Sequence, residues 1–214
     1  MAIDELISRI EAQLTTGPYD PAVNKALIAD AKVMMADDLA ARKRLGPLIG
    51  RLKTAPPPSN DVDLNWLELS HGGIAIGHRP KMKLLKTMRA SGVTHIMTLL
   101  SEKEGAKEIG RAAEQQGLTW LWLPLPSAEP PAQDRIEAIN ELFSHCVGAL
   151  QAQAKIYIHC SAGIHRTGMI AYALLRYMGF NSSKSESLLA DLRGVTANDV
   201  GDHRKRWGDQ FSSQ

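Results

Sequence analysis

Apolar positions along the chain change their period near residue 60. Before it, Ile3, Leu6, Ile7, Ile10 and Leu14 recur at three- and four-residue spacing, which predicts an amphipathic helix. Gly17-Pro18-Tyr19-Asp20-Pro21 breaks it, and Asp20 followed by Pro21 opens a second helix carrying Val23, Leu27, Ile28, Ala31, Met34 and Met35. That pattern runs on toward residues 39–45, Gly46-Pro47 punctuates it, and residues 48–52 read as a short further turn. Residues 54–60 (TAPPPSN) form a stiff extended linker or strap. Residues 1–60 are therefore a helical extension. Its plainer role is to cover apolar surface on the larger C-terminal part of the chain; the sharper one is dimerisation or partner docking.

From Trp66 the chain alternates between short apolar runs and amphipathic stretches. Residues 66–69 and 73–76 predict a hairpin. A helix over 81–90 ends at Gly92, and a strand occupies 93–100. Ser101 and Glu104 have capping-box spacing for a helix that stops at Gly117. Residues 118–123 (LTWLWL) are the next strand, 124–131 a proline-rich loop, and 133–151 a long helix. A strand over 156–158 then leads into a helix over 169–178 and an amphipathic one over 183–192. Asn198 has the position of a cap for a last helix, in which 202–207 form a solvated face around a buried Trp207. This alternation predicts an α/β domain over 61–214, with a mainly parallel central sheet flanked by helices.

Composition narrows the picture modestly. In 214 residues, 44% are hydrophobic, enough for a substantial core, and a net charge of +2 gives no pull toward nucleic acid or an anionic membrane. No apolar run has transmembrane length, and the acidic-amphipathic N-terminus is unlike a signal peptide. Two cysteines, Cys146 and Cys160, make no disulfide framework and fit the reducing cytoplasm. Cys146 lies mid-helix and reads as core; a protective disulfide with Cys160 is the alternative.

The chemistry is concentrated in residues 155–168, KIYIHCSAGIHRTG. A strand running through a tight loop into a helix N-terminus points several backbone N–H groups at one spot, where the helix dipole adds positive potential. Such a nest holds phosphate. A thiol at its base has its pKa lowered by the same donors. Gly163 lets the backbone turn inward, Arg166 can grip two phosphoryl oxygens, and Thr167 can hydrogen-bond the sulfur. A structural cysteine ending a core strand accounts for Cys160 alone but not for its neighbours.

Residues 159–168 resemble the HC-x-x-G-x-x-R-[ST]-G signature of the cysteine-dependent protein-tyrosine and dual-specificity phosphatase superfamily at every fixed position. The wider resemblance covers residues 62–212. It implies that Cys160 attacks phosphorus to give a phosphocysteine. The backbone of Ser161, Ala162, Gly163, Ile164, His165, Arg166 and Thr167, with the Arg166 guanidinium, then holds the phosphoryl oxygens. His159 has a supporting role in fixing the loop. The implied substrate is a phosphoprotein, with phosphotyrosine first and dual specificity as an extension. No metal or organic cofactor is implied, nor a membrane or nucleic-acid partner.

One position departs from the family pattern. Where an Asp general acid is expected upstream, the loop places Ser127, which cannot protonate a leaving group at neutral pH. Glu129 is the candidate acid, ahead of Asp134, which suits the charge of the adjoining helix N-terminus. The loss favours good leaving groups, so a phosphatase acting on RNA 5′ ends, or on another non-protein phosphate, is the alternative enzyme. A phosphate-binding pseudophosphatase is the alternative of another class. Ala162, Ile164 and His165 stand where phosphoinositide phosphatases of the superfamily often carry lysines, which weakens that reading. Asn198 also lies in a loop that resembles one near the family's active site, where it could orient water.

Overall fold

A computed structural model of the protein describes residues 3–15, 21–36, 38–54, 64–69 and 71–212. The chain divides into two compact units, Met1–Asp61 and Val62–Gln214.

Among the described residues the first unit holds three helices, α1 (Ile3–Thr15), α2 (Pro21–Met35) and α3 (Leu39–Thr54). Leu6 and Ile10, Leu27 and Ala31, and Ala41, Leu45, Leu48, Ile49 and Leu52 close into one buried cluster, so each helix hides its stripe against the other two. The expected continuation of the second helix into residues 39–45 is wrong, as is the break at Gly46-Pro47. The Asp38 carboxylate accepts the N–H groups of Ala40 (2.8 Å) and Ala41 (3.1 Å) and starts a new helix there. Arg42 Nε donates to the Met35 carbonyl at 2.6 Å, closing the end of α2. Pro47 lies inside α3, where it forgoes one backbone hydrogen bond; its buried neighbours Leu45, Leu48 and Ile49 offset that loss. The Asp20 cap and the prolines of the linker lie outside the described residues.

Among its described residues the second unit has five strands: β1 (Leu67–Glu68), β2 (Gly73–Gly77), β3 (His95–Thr98), β4 (Thr119–Trp122) and β5 (Lys155–His159). Their order is β1-β2-β5-β3-β4, and only the β1–β2 pair is antiparallel. The helices are α4 (Leu85–Ala90), α5 (Ala106–Gln115), α6 (Ile136–Gln151), α7 (His165–Tyr177), α8 (Ser182–Leu192), α9 (Gly194–Asp199) and α10 (Asp202–Gly208). Strand alternation sorts the faces. Ile156 and Ile158 join Phe143 and Cys146 of α6 and Ile170 of α7, while Tyr157 joins Leu85 and Met88 of α4 and Ala113 of α5. The fold is a mainly parallel sheet between helix layers.

This topology places the functional loop. β5 is central, flanked by β2 and β3, so the segments that leave β2, β3, β4 and β5 all emerge at one edge of the sheet. Three sequence expectations need correction here. The helix opened by Ser101 is split: a 3₁₀ turn over Glu102–Glu104 is separated from α5 by Gly105, whose φ of +81° turns the chain before α5 begins. Asn198 is no cap: it lies within α9, and α10 begins after Gly201 at φ +84°. Nor is the 202–207 stretch merely a solvated face around a buried tryptophan. Trp207 is half-buried, edge-on to Phe211 at 5.0 Å, and the Arg204 side chain is only 11% exposed.

Candidate active site

The loop between β5 and α7 holds Cys160 at its base. The reactive geometry comes from how the loop's carbonyls are occupied. The Cys160 carbonyl accepts from His159 Nδ1 (3.1 Å), that of Ser161 from the Arg79 N–H (3.0 Å) and that of Ile164 from the Gly168 N–H (2.7 Å). The Ala162 carbonyl accepts from Arg193 Nη1 (3.1 Å), and the Gly163 carbonyl from Arg193 Nη1 (2.9 Å) and Thr196 Oγ1 (2.7 Å). With its acceptors so engaged, the loop presents N–H groups to its interior, and that of Gly163 donates to Cys160 Sγ at 3.2 Å. Gly163 sits at φ +71°, pressed against the Gly77 backbone, where a Cβ would overlap the Gly77 carbonyl.

Two effects oppose each other at the sulfur. Cys160 is buried, which by itself raises the thiol pKa; the Thr167 hydroxyl and the N–H groups of Thr167, Gly163 and Ile164 outweigh that burial and lower it from the ordinary value. The Thr167 hydroxyl is itself buried, and no hydrogen bond of ordinary geometry satisfies it among the described residues. Cys146, buried in α6 with no such donors, is pushed up to about 12 by burial alone. The two cysteines are free thiols of opposite character.

Arg166, in the first turn of α7, is aimed by two other loops. Its Nη1 and Nη2 each donate to a Glu104 carboxylate oxygen at 2.8 Å, and Nη1 also donates to the Leu125 carbonyl at 2.9 Å. The Arg166 hydrogen bonds hold the Glu104 carboxyl far below the usual range, at about 2. Glu104 also accepts from the Ser101 N–H (2.9 Å) and Oγ (2.8 Å), so the capping box and the arginine clamp share one carboxylate. Sequence reasoning found only the first of these roles. It assigned no contact to Leu125, Arg193, Thr196 or Arg79, although the stretches holding the last three resemble the family, since a carbonyl or a distant arginine carries no local signal.

His159, wholly buried, is driven down to about 4, chiefly by burial, and so stays neutral near pH 7. His165 is exposed at the start of α7. Glu129 lies in the loop after β4, 71% exposed, with its carboxylate 3.6 Å from Arg204 and 3.8 Å from His203. Its N–H donates to Ser127 Oγ at 3.2 Å, and Arg204 Nε donates to the neighbouring Ala128 carbonyl at 2.5 Å. Asp134 lies in the 3₁₀ turn ahead of α6, as the helix-terminus reading expects. No group of three or more metal-ligating side chains occurs among the described residues, and no helix there is long and apolar enough to cross a membrane.

A buried thiol in a backbone anion cradle, with a clamped arginine above it on this sheet, defines a phosphatase of the dual-specificity and protein-tyrosine superfamily. The family model described as "Polymorphic toxin system, DSP-PTPase phosphatase" matches residues 73–179, half of the chain, and the protein belongs to that family. Among solved structures it is similar to kinase associated phosphatase with serine in place of its catalytic-site cysteine. The two are 19% identical, the match covers 71% of this chain and 94% of that one, and the TM-score is 0.58. Tk-PTP in its active form is 17% identical over 67% of this chain and 92% of its own (TM-score 0.55). A putative protein tyrosine phosphatase from Leishmania major is 15% identical over 67% and 90% (TM-score 0.52). At these identities the likeness is one of fold. No curated protein matches the chain.

Proposed function

We propose that the protein hydrolyses phosphomonoesters through a phosphocysteine on Cys160, with phosphotyrosyl protein as substrate and dual specificity as its extension. The observation that carries this reading is the low-pKa sulfur facing the Gly163 N–H, beside an arginine held bidentately by Glu104. The thiolate attacks phosphorus in line; the S–P bond forms as the ester P–O bond breaks, and the leaving oxygen takes a proton. The loop N–H groups of residues 161–167 and the Arg166 guanidinium hold the equatorial oxygens as charge moves onto them. Water then cleaves the S–P bond, releasing inorganic phosphate and regenerating the thiolate. His159 fixes the loop and takes no proton from substrate. The free thiols fit a reducing compartment such as the cytoplasm.

Glu129 is the acid in this scheme, donating to the leaving phenoxide when its loop closes on substrate. Its pairing with Arg204 and His203 ties that loop to α10. The same pairing supports a second reading. A carboxylate engaged elsewhere suits substrates whose leaving group needs little acid, above all a phosphoanhydride at an RNA 5′ end. The acid-free stretch over 69–101, with Arg79, Lys81, Lys83, Lys86 and Arg89 exposed, suits a polyanion.

Hydrolysis of aryl phosphates of graded leaving-group pKa, by wild type, Cys160→Ser and Glu129→Gln, tests both. Turnover should vanish in Cys160→Ser. If Glu129→Gln loses the basic limb of the rate profile and slows poor leaving groups most, Glu129 is the acid and phosphotyrosine the substrate class. If Glu129→Gln is silent and a triphosphorylated RNA outruns the aryl esters, the second reading stands. Tungstate binding without turnover on any substrate overturns both and leaves a phosphate-binding module.

A further inference from the structure

We propose that Trp120 and Thr98 are positioning residues for the nucleophile, acting through His159 along a one-way chain of hydrogen bonds that ends on the Cys160 carbonyl. Trp120 Nε1 lies 3.0 Å from Thr98 Oγ1, which lies 2.9 Å from His159 Nε2, and His159 Nδ1 lies 3.1 Å from the Cys160 carbonyl oxygen. The two ends fix every proton between them. An indole N–H can only donate and a carbonyl oxygen can only accept. His159 must therefore carry its proton on Nδ1, which makes Nε2 an acceptor. Thr98 must then donate to Nε2 and receive from Trp120. No other arrangement satisfies all three contacts with a neutral imidazole.

The surroundings keep the imidazole neutral. His78, Arg79 and Arg166 are the charged or titratable groups whose fields reach it, and all three disfavour a second proton. The Tyr157 ring stacks beside it at 6.0 Å, with its hydroxyl turned to the His78 carbonyl (2.8 Å). Thr98 and His159 are fully buried. The Trp120 indole is held by its stack on Trp122 (5.3 Å between centroids) and by α5, where a Cβ on Gly110 would overlap the ring. β3 and β4 are in register at Thr98 and Trp122, so Trp120 reaches Thr98 diagonally across the pair.

What the chain delivers is an oriented peptide. With Nδ1–H on the Cys160 carbonyl, the 160–161 peptide plane is set at the entry to the cradle, and the next N–H groups keep their inward aim. Without the lock, the imidazole can change tautomer, and its lone pair would then face the carbonyl.

The test uses the full chain and rests on Cys160 as the nucleophile. It reads the His159 tautomer by ¹⁵N NMR, and the Cys160 thiolate by the pH dependence of iodoacetamide alkylation. Neither readout needs turnover, so failure of the catalytic reading and failure of this one are distinguishable. Thr98→Val should release the tautomer, shift alkylation to higher pH and lower kcat about tenfold at unchanged KM. Thr98→Ser should restore all three. Trp120→Phe, which keeps an aromatic face but removes the N–H together with the fused five-membered ring, should move them the same way by less. Trp122→Phe keeps an aromatic face for the stack, deletes the other indole N–H, which serves the Leu100 carbonyl at 2.8 Å, and should move them less than Trp120→Phe does. The proposal is overturned if Trp120→Phe and Thr98→Val leave the His159 spectrum and the alkylation profile unmoved, or if Trp122→Phe moves them as far as Trp120→Phe does. Should Thr98→Val not fold, the Trp120→Phe and Trp122→Phe pair decides alone.

Discussion

Arg166 and Glu104 meet through two parallel hydrogen bonds of 2.8 Å, although 62 positions separate them in the chain. The pair fixes the guanidinium plane before substrate arrives, so the two oxygens of a phosphoryl group find a prepared clamp. Glu104→Gln keeps the shape of the side chain but loses its charge and one acceptor. It should lower kcat/KM on an aryl phosphate about tenfold. Arg166→Lys removes the fork altogether and should cost about 10²–10³-fold. Equal effects from the two would mean that Glu104 does more than orient the arginine, and steady-state kinetics separates the cases.

Gly163→Ala places a methyl group where the Gly77 carbonyl already lies, at a φ of +71° that side chains rarely adopt. The loop must shift away from Gly77 to admit it, and the Cys160 Sγ contact with the residue-163 N–H lengthens. We expect a stability loss of about 2 kcal/mol and a larger fractional loss in turnover than in thermal stability. A variant that melts early yet turns over normally would show that the cradle does not depend on this contact.

The sequence exposed the parts of this site that are local and hid those that depend on strand order. Cys160, Gly163 and Thr167 fall within one turn of chain, and a strand–loop–helix pattern is enough to place them. Glu104 was visible only as a helix cap, because its second partner is set by β5 lying beside β3. The stretch holding Arg193 and Thr196 resembles a loop near the family's active site, but what those two side chains hold are carbonyls, which leave no mark on the sequence. The helix boundary near residue 39 was misread for a related reason. Apolar spacing continues through it, and the side-chain hydrogen bonds of Asp38 decide where the chain breaks.

Thr167 offers a direct check on the thiol. Its buried hydroxyl is the largest favourable influence on Cys160 and works against the burial that would otherwise raise the pKa. Thr167→Val should therefore move the alkylation profile of Cys160 to higher pH and slow phosphocysteine formation near neutrality. Thr167→Ser should leave the profile close to wild type. If Thr167→Val alkylates with the wild-type pH dependence, the loop N–H groups alone set the thiolate.

His159 and Glu104 make the fold sensitive to acid in two separate windows. Buried neutral His159 takes its proton only near pH 4, whereas in the unfolded chain it does so near 6.5. Between those values the unfolded state binds the extra proton, so stability falls as pH drops from 6.5 to 4, by about 3 kcal/mol if the site stays dry. Glu104 has the sign usual for a paired carboxylate. Its contribution is complete above 4.5 and is lost as pH falls toward 2. Trp66, Trp120, Trp122 and Trp207 all belong to the second unit, so tryptophan fluorescence in urea reports that unit without the helical one. The wild-type stability curve minus that of His159→Gln should slope only between pH 6.5 and 4. The same difference for Glu104→Gln should slope only below 4.5. A His159→Gln curve parallel to wild type throughout the first window would mean that the imidazole is protonated in the fold there, with Nε2 donating to the Thr98 hydroxyl rather than accepting from it.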